Sequence, residues 1–332
     1  MNARPQHPLH RAEELGRIVE IQFGGLPPAP DNTRSQLLHG YEVRHSEGYR
    51  YHTHRLTAGP GGGVSFGLSL LIPNGAGPFP VVLCGDACWR FANDAFTDEC
   101  VRRGFILALF NRTELAADND DNTRAGGLYP LFPKLEFGAV SAWAWGYHRC
   151  VDFLCSQSIV RTDQIAIVGH SRGGKATLLA GATDERIALT STNNSGTSGA
   201  GSYHVMGPGA EPLEHLLRVF PHWLGPRMAD YTGREADMPF DQHELIAAIA
   251  PRAYLSTEAL GDLWANPSGT WHACQAAREA WRLLNAEVRI GIHFREGAHD
   301  HGLSDWQVFL DFADWQFGRN SQAPTLTPYA TN

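Results

Sequence analysis

From Tyr41 onward the chain alternates short, almost wholly apolar runs with longer stretches whose apolar residues recur every third or fourth position. The short runs predict strands: Val64–Pro73, Pro80–Gly85, Phe105–Asn111, Ile165–Gly169, Arg186–Gly196, Pro251–Thr257 and Val288–Phe294. A continuous run such as FILALF has no polar face, the pattern of a strand covered on both sides. The periodic stretches predict helices over Asp94–Gly104, Gly138–Cys155, Lys175–Asp184, Pro239–Ala250, Ser268–Asn285 and Ser304–Phe317. In the second of these, Val140, Trp143, Tyr147, Val151 and Leu154 fall on one face. Strands alternating with helices predict a mostly parallel central sheet with helices on both faces, a three-layer α/β sandwich.

The remaining segments lack this rhythm. Residues 1–35 are rich in Pro, His and polar residues and read as an irregular arm with a short helix near Arg11–Ile18. Residues 112–133 read as a long loop. Its DNDDNTRAGG lacks the glycine and closing glutamate of a calcium loop and is expected to be solvated. Residues 197–238 are irregular and aromatic-rich, suggesting a cap-like insertion in a single domain spanning 36–318. The tail, 319–332, is expected to be disordered.

Two motifs overlap between a predicted strand and helix. Gly169 to Lys175 reads G-x-x-x-x-G-K, and Gly169-His170-Ser171-Arg172-Gly173 reads G-x-S-x-G. A phosphate-binding loop needs Ser or Thr after its lysine to hold magnesium, but Ala176 stands there. A nucleophile elbow needs a carboxylate and then a histidine downstream. Asp262 and His299 supply them in that order, each in a segment following a predicted strand, where the ligand-facing loops of an open α/β sheet lie. The α/β-hydrolase fold with Ser171 as nucleophile, His299 as base and Asp262 as acid is therefore the reading. The Arg172 amide is the expected oxyanion donor, with a second from the segment around Gly85–Ala87, that is Asp86 or Ala87.

Composition narrows the partners. A net charge of −8 without a basic block argues against nucleic acid. No apolar run approaches the length of a signal peptide or bilayer span. The six cysteines form no C-x-x-C pair and read as reduced thiols, so a cytoplasmic location is expected. No metal is expected at His299-Asp300-His301 or at His52 and His54, because no distant ligand completes either group. Oligomeric state is open.

WGYHRCVDFL, GHSRGGKATLLAGATDERIAL, NNSG, PFDQHELIAAIAPR, GDLWANPSG and DWQVFLDFADW together resemble the glucuronoyl esterase family and its bacterial acetyl xylan esterase-like relatives. The resemblance runs from about Val64 to Phe317 and implies cleavage of carbohydrate-acid esters without a metal or organic cofactor. It also implies that Arg172 supports the oxyanion and that Lys175 contacts substrate hydroxyls. Some members place the acid where this chain has Asn194, which cannot serve as a carboxylate; others place it where Asp262 stands. Secreted fungal members carry a disulfide-forming cysteine at the position of His170, and its absence fits a reducing compartment. Trp223, Tyr231 and Trp264 read either as a wall for stacking a sugar or as packing of the cap; His243 reads as structural. Asp300 is a candidate for holding the His299 loop. Other chemistry on the same fold (lactone opening, peptide cleavage, a lyase or cyclase step) and a non-catalytic binding protein remain the alternatives.

Overall fold

The computed structural model describes residues 8–44, 48–88, 94–119 and 124–329. Nine strands form one sheet in the order β1-β2-β3-β5-β4-β6-β7-β8-β9. These are β1 Thr33–Val43, β2 Tyr49–Ala58, β3 Val64–Pro73, β4 Phe79–Cys84, β5 Ile106–Phe110, β6 Val160–His170, β7 Leu189–Asn193, β8 Ala253–Ala259 and β9 Ile290–Arg295. Strands β4 to β9 run parallel, whereas β1, β2 and β3 pair antiparallel at one end.

The apolar runs sit in this sheet because alternate side chains are buried on opposite faces. Val81, Leu83, Ile165 and Ile167 join one core, with α3 (Ala139–Cys155) and α4 (Arg172–Thr183). Val82, Cys84, Ala166 and Val168 join the other, against α2 (Asp94–Arg102) and α8 (Leu303–Gln316). The first core also takes α6 (Gln242–Ala247) and α7 (Pro267–Leu283), and α5 (Leu213–Val219) lies in the aromatic-rich segment. This is the three-layer α/β-hydrolase arrangement the sequence predicts.

The chain's ends depart from expectation. Instead of an irregular arm with one short helix, α1 spans Pro8–Phe23 and buries Ile18 and Phe23 fully. Buried Gln22 secures it: its Nε2 donates to the Ser198 carbonyl (3.1 Å), and its Oε1 accepts from Tyr203 (3.1 Å) and Gln242 (2.7 Å). The β1–β2 hairpin was not anticipated. Both faces of β1 are largely exposed, so burial imposes no alternation, and ladder bonds alone set its register. The tail, expected to be disordered, packs on the body of the fold through its described residues. Phe294 donates its amide to the Thr327 carbonyl (2.9 Å), and Tyr329 packs on Trp271 and Phe294, covering the β9 edge.

Candidate active site

Strand β6 ends at His170 and α4 begins at Arg172, so Ser171 must reverse the chain in one residue. It does so at φ 56°, ψ −125°, a conformation costly for a residue with a Cβ. The flanking glycines make room. A Cβ on Gly169 would lie 2.3 Å from Thr177 Oγ1, and one on Gly173 would lie 2.0 Å from Asp86 Oδ1. Ser171 donates its amide to the Asn193 carbonyl (2.8 Å), pinning the elbow to β7.

The loops after β8 and β9 bring the other two groups. Leu260 donates to the Arg295 carbonyl (2.8 Å) and Gly261 to the Gly297 carbonyl (3.0 Å), so strand pairing continues past the strand ends. Those two bonds set how far the Asp262 loop stands from the His299 loop. Arg295 braces the second loop from beneath. Its guanidinium pairs with buried Asp305 (2.7 Å) and donates to the Asp300 carbonyl (2.6 Å). Asn194 ties both loops together, accepting from the Ala259 amide (2.8 Å) and donating to the Asp300 carbonyl (3.3 Å). Asp300 thus serves the His299 loop through its backbone.

The result is a continuous line. His299 Nε2 lies 2.9 Å from Ser171 Oγ, and His299 Nδ1 lies 2.5 Å from Asp262 Oδ2. Asp262 is buried while the imidazole is 44% exposed, so the carboxylate is shielded and the base faces solvent. Because a carboxylate only accepts, Nδ1 carries the proton and Nε2 presents its lone pair to the serine hydroxyl.

His170 extends the site inward. Asn193 donates through its amide nitrogen to Thr257 Oγ1 (2.9 Å), so its oxygen faces His170 Nδ1 at 2.6 Å and the proton sits on that nitrogen. The His170 ring lies 4.6 Å from that of His299 and 5.7 Å from that of His301, which stacks on Trp306.

One amide of the anticipated oxyanion segment is engaged elsewhere. The Ala87 amide donates to the Phe110 carbonyl (3.3 Å), which removes it as an oxyanion donor. Asp86 turns its carboxylate to the His170 amide (2.9 Å) and to the buried guanidinium of Arg112. It works as a buttress under the elbow. Arg112 was missed because an arginine opening a polar loop carries no mark of burial in sequence.

Arg172, the first residue of α4, holds its guanidinium 4.7 Å from the Trp223 ring and bonds Asp118 (3.0 Å). Asp118 also accepts from His222 Nε2 (3.1 Å) and Trp223 Nε1 (2.9 Å). It belongs to the acidic stretch expected to be solvated, yet its side chain is only 11% exposed; Asp120 and Asp121 lie outside the described residues. Burial works to raise its carboxyl, but the three donors outweigh burial and hold it well below the usual carboxylate range.

Lys175 is not free to reach substrate hydroxyls. It is 4% exposed and donates to the Ser195 (2.6 Å) and Thr197 carbonyls, and burial brings it down to about 8. Of the three aromatics, Trp223 is 3% exposed and stacks face to face on Phe220, which denies a sugar that face. Tyr231 is half-buried in a short helical segment packed against α1. Trp264, two residues beyond Asp262, is the exposed one of the three at 46%, edge-on to His215. His243 is part-buried and belongs to α6. Among the described residues, no three His, Cys, Asp or Glu side chains gather as metal ligands, and no helix is long and apolar enough to cross a membrane.

A family model of fungal glucuronyl esterases matches residues 58–285. A carbohydrate esterase from an unknown prokaryotic organism is 37% identical over 65% of this chain and 55% of its own. The 4-O-methyl-glucuronoyl methylesterase of Podospora anserina is 28% identical over 88% of this chain and 59% of its own. The chain thus spans between 55% and 59% of the length of these two relatives. Among solved structures, a carbohydrate esterase family 15 glucuronoyl esterase from Caldicellulosiruptor kristjansonii superposes with a TM-score of 0.82 at 27% identity, covering 98% of this chain and 90% of that one.

Proposed function

The chain belongs to the glucuronyl esterase family, and on that premise we propose that it is a serine carboxylic-ester hydrolase acting on uronate esters of carbohydrates. The observation that carries this reading is the unbroken line from Ser171 through His299 to Asp262, at 2.9 and 2.5 Å. His299 takes the hydroxyl proton as Ser171 Oγ attacks the ester carbonyl. Asp262 fixes the imidazole tautomer and stabilises the imidazolium. The oxyanion forms against the N-terminus of α4, whose first amides have no intrahelical acceptor, and Arg172, which opens that helix, supplies a positive charge from the same turn. Collapse of the tetrahedral species passes the proton from His299 to the leaving alcohol. Water, deprotonated by the same imidazole, then frees the acid. Trp264 stands where the apolar face of a sugar can lie. The uronate assignment rests on relatives named for glucuronoyl and carbohydrate ester cleavage.

The test is an ester panel of methyl glucuronate, acetylated sugar and longer aryl esters, on wild type and Ser171→Ala. Wild type should prefer the glucuronate ester, and the variant should lose turnover while melting at the same temperature. Activity surviving in pure variant overturns the nucleophile; preference for the acetyl ester overturns the substrate class. We propose separately that the enzyme works in a reducing, cytoplasmic compartment, a reading the six free thiols support. Alkylation in intact cells of the source should modify accessible cysteines without prior reductant; a disulfide found by mass spectrometry would remove that support.

A further inference from the structure

Three segments far apart in sequence meet at one carboxylate. Asp118 follows β5, His222 and Trp223 follow α5, and Arg172 opens the nucleophile helix. Its Oδ2 takes Arg172, and its Oδ1 takes both His222 and Trp223. His222 Nδ1 is buried without a partner among the described residues, and Nε2 faces the Asp118 carboxylate, so the His222 proton sits on Nε2. Phe220 and Trp223 stack at 3.8 Å, and the guanidinium of Arg172 lies 4.9 and 4.7 Å from their centroids. An arginine otherwise samples many rotamers; here the charge pair and the two ring contacts leave it one direction.

We propose that Asp118 is the positioning residue for Arg172, holding the guanidinium beside the nucleophile so that it meets charge developing on the ester oxygen. This rests on the esterase reading above. The alternative is that Asp118 merely anchors the His222–Trp223 segment. The two roles separate in a double-mutant cycle, because only the first vanishes once Arg172 is gone.

The experiment uses Asp118→Ala, Arg172→Gln and the double variant, on the full chain. Turnover of a methyl glucuronate ester and the rate at which a fluorophosphonate labels Ser171 are both measured. Asp118→Ala should lower kcat about tenfold to a hundredfold, the cost of a misplaced group near the chemistry. KM should change less. In the Arg172→Gln background the same substitution should cost under about threefold. Equal losses in both backgrounds overturn the proposal and leave an anchor. If Asp118→Ala does not fold, Asp118→Asn keeps an oxygen for His222 and Trp223 while removing the charge facing Arg172, and the same coupling is expected. Should wild type label at Ser171 yet cleave no uronate ester, the substrate reading falls while the labelling cycle still decides Asp118. Wild type that neither labels nor cleaves takes both down.

Discussion

Replacing Asp262 by asparagine tests the site at its most shielded point. The carboxylate is 4% exposed on its side chain, so water cannot stand in for it. An asparagine there can present either end of its amide to His299 Nδ1. If it presents NH₂, Nδ1 must become the acceptor and the ring proton moves to Nε2. That nitrogen is 2.9 Å from Ser171 Oγ and would then oppose the serine as a donor. If it presents oxygen, the tautomer survives but the imidazolium loses its counter-charge. The expected loss is about 10⁴ in kcat, or roughly 5.5 kcal/mol of transition-state stabilisation. Asn194→Ala is the control at the family's other acid position. It forfeits two neutral hydrogen bonds to backbone, each worth about 1 kcal/mol, so the activity loss should stay below about thirtyfold even if both are lost in full. Steady-state kinetics on a methyl glucuronate ester, with thermal melts to check folding, give the ranking. Asp262→Asn retaining a tenth of wild-type kcat, or Asn194→Ala falling further than Asp262→Asn, would refute the assignment of the acid.

Other expectations concern the frame around the site. Arg112→Met should cost about 3–5 kcal/mol in chemical denaturation and depress turnover, because it leaves the Asp86 carboxylate buried without its counter-charge beneath the elbow; a loss under about 1 kcal/mol would mean the pair does not brace the turn. His148 is buried against the Ala180 carbonyl (3.3 Å) and Thr183 (3.2 Å), and burial depresses it from 6.5 to about 4. Between those values the unfolded chain binds a proton that the folded chain refuses, so stability falls as pH falls through that window and levels off below it. Wild type should lose up to about 3 kcal/mol relative to His148→Gln on acidification across this range; parallel stability curves would show that His148 does not titrate differently in the two states.

The chain's sequence settled those features that depend on burial of contiguous runs. FILALF and IAIVG read as central strands, since each apolar run is too short for a helix and has no polar face to turn to solvent. The elbow was also legible, because the turn at Ser171 demands small neighbours at 169 and 173 whatever else surrounds it. The order of Ser171, Asp262 and His299 was readable because sheet topology fixes which loops share one edge. Tertiary structure alone decided the rest. The β1–β2 hairpin is held by ladder bonds with little burial on its outer strand, so no side-chain period announced it. The family resemblance implied that Lys175 reaches substrate hydroxyls, and Trp223 read either as a sugar wall or as cap packing; the fold makes both buried partners of backbone and rings. Asp118 read as one charge in a solvated run, yet it gathers donors from two other segments. A residue's type tells what it can bond to; only the folded chain determines which partners arrive and how much water they displace.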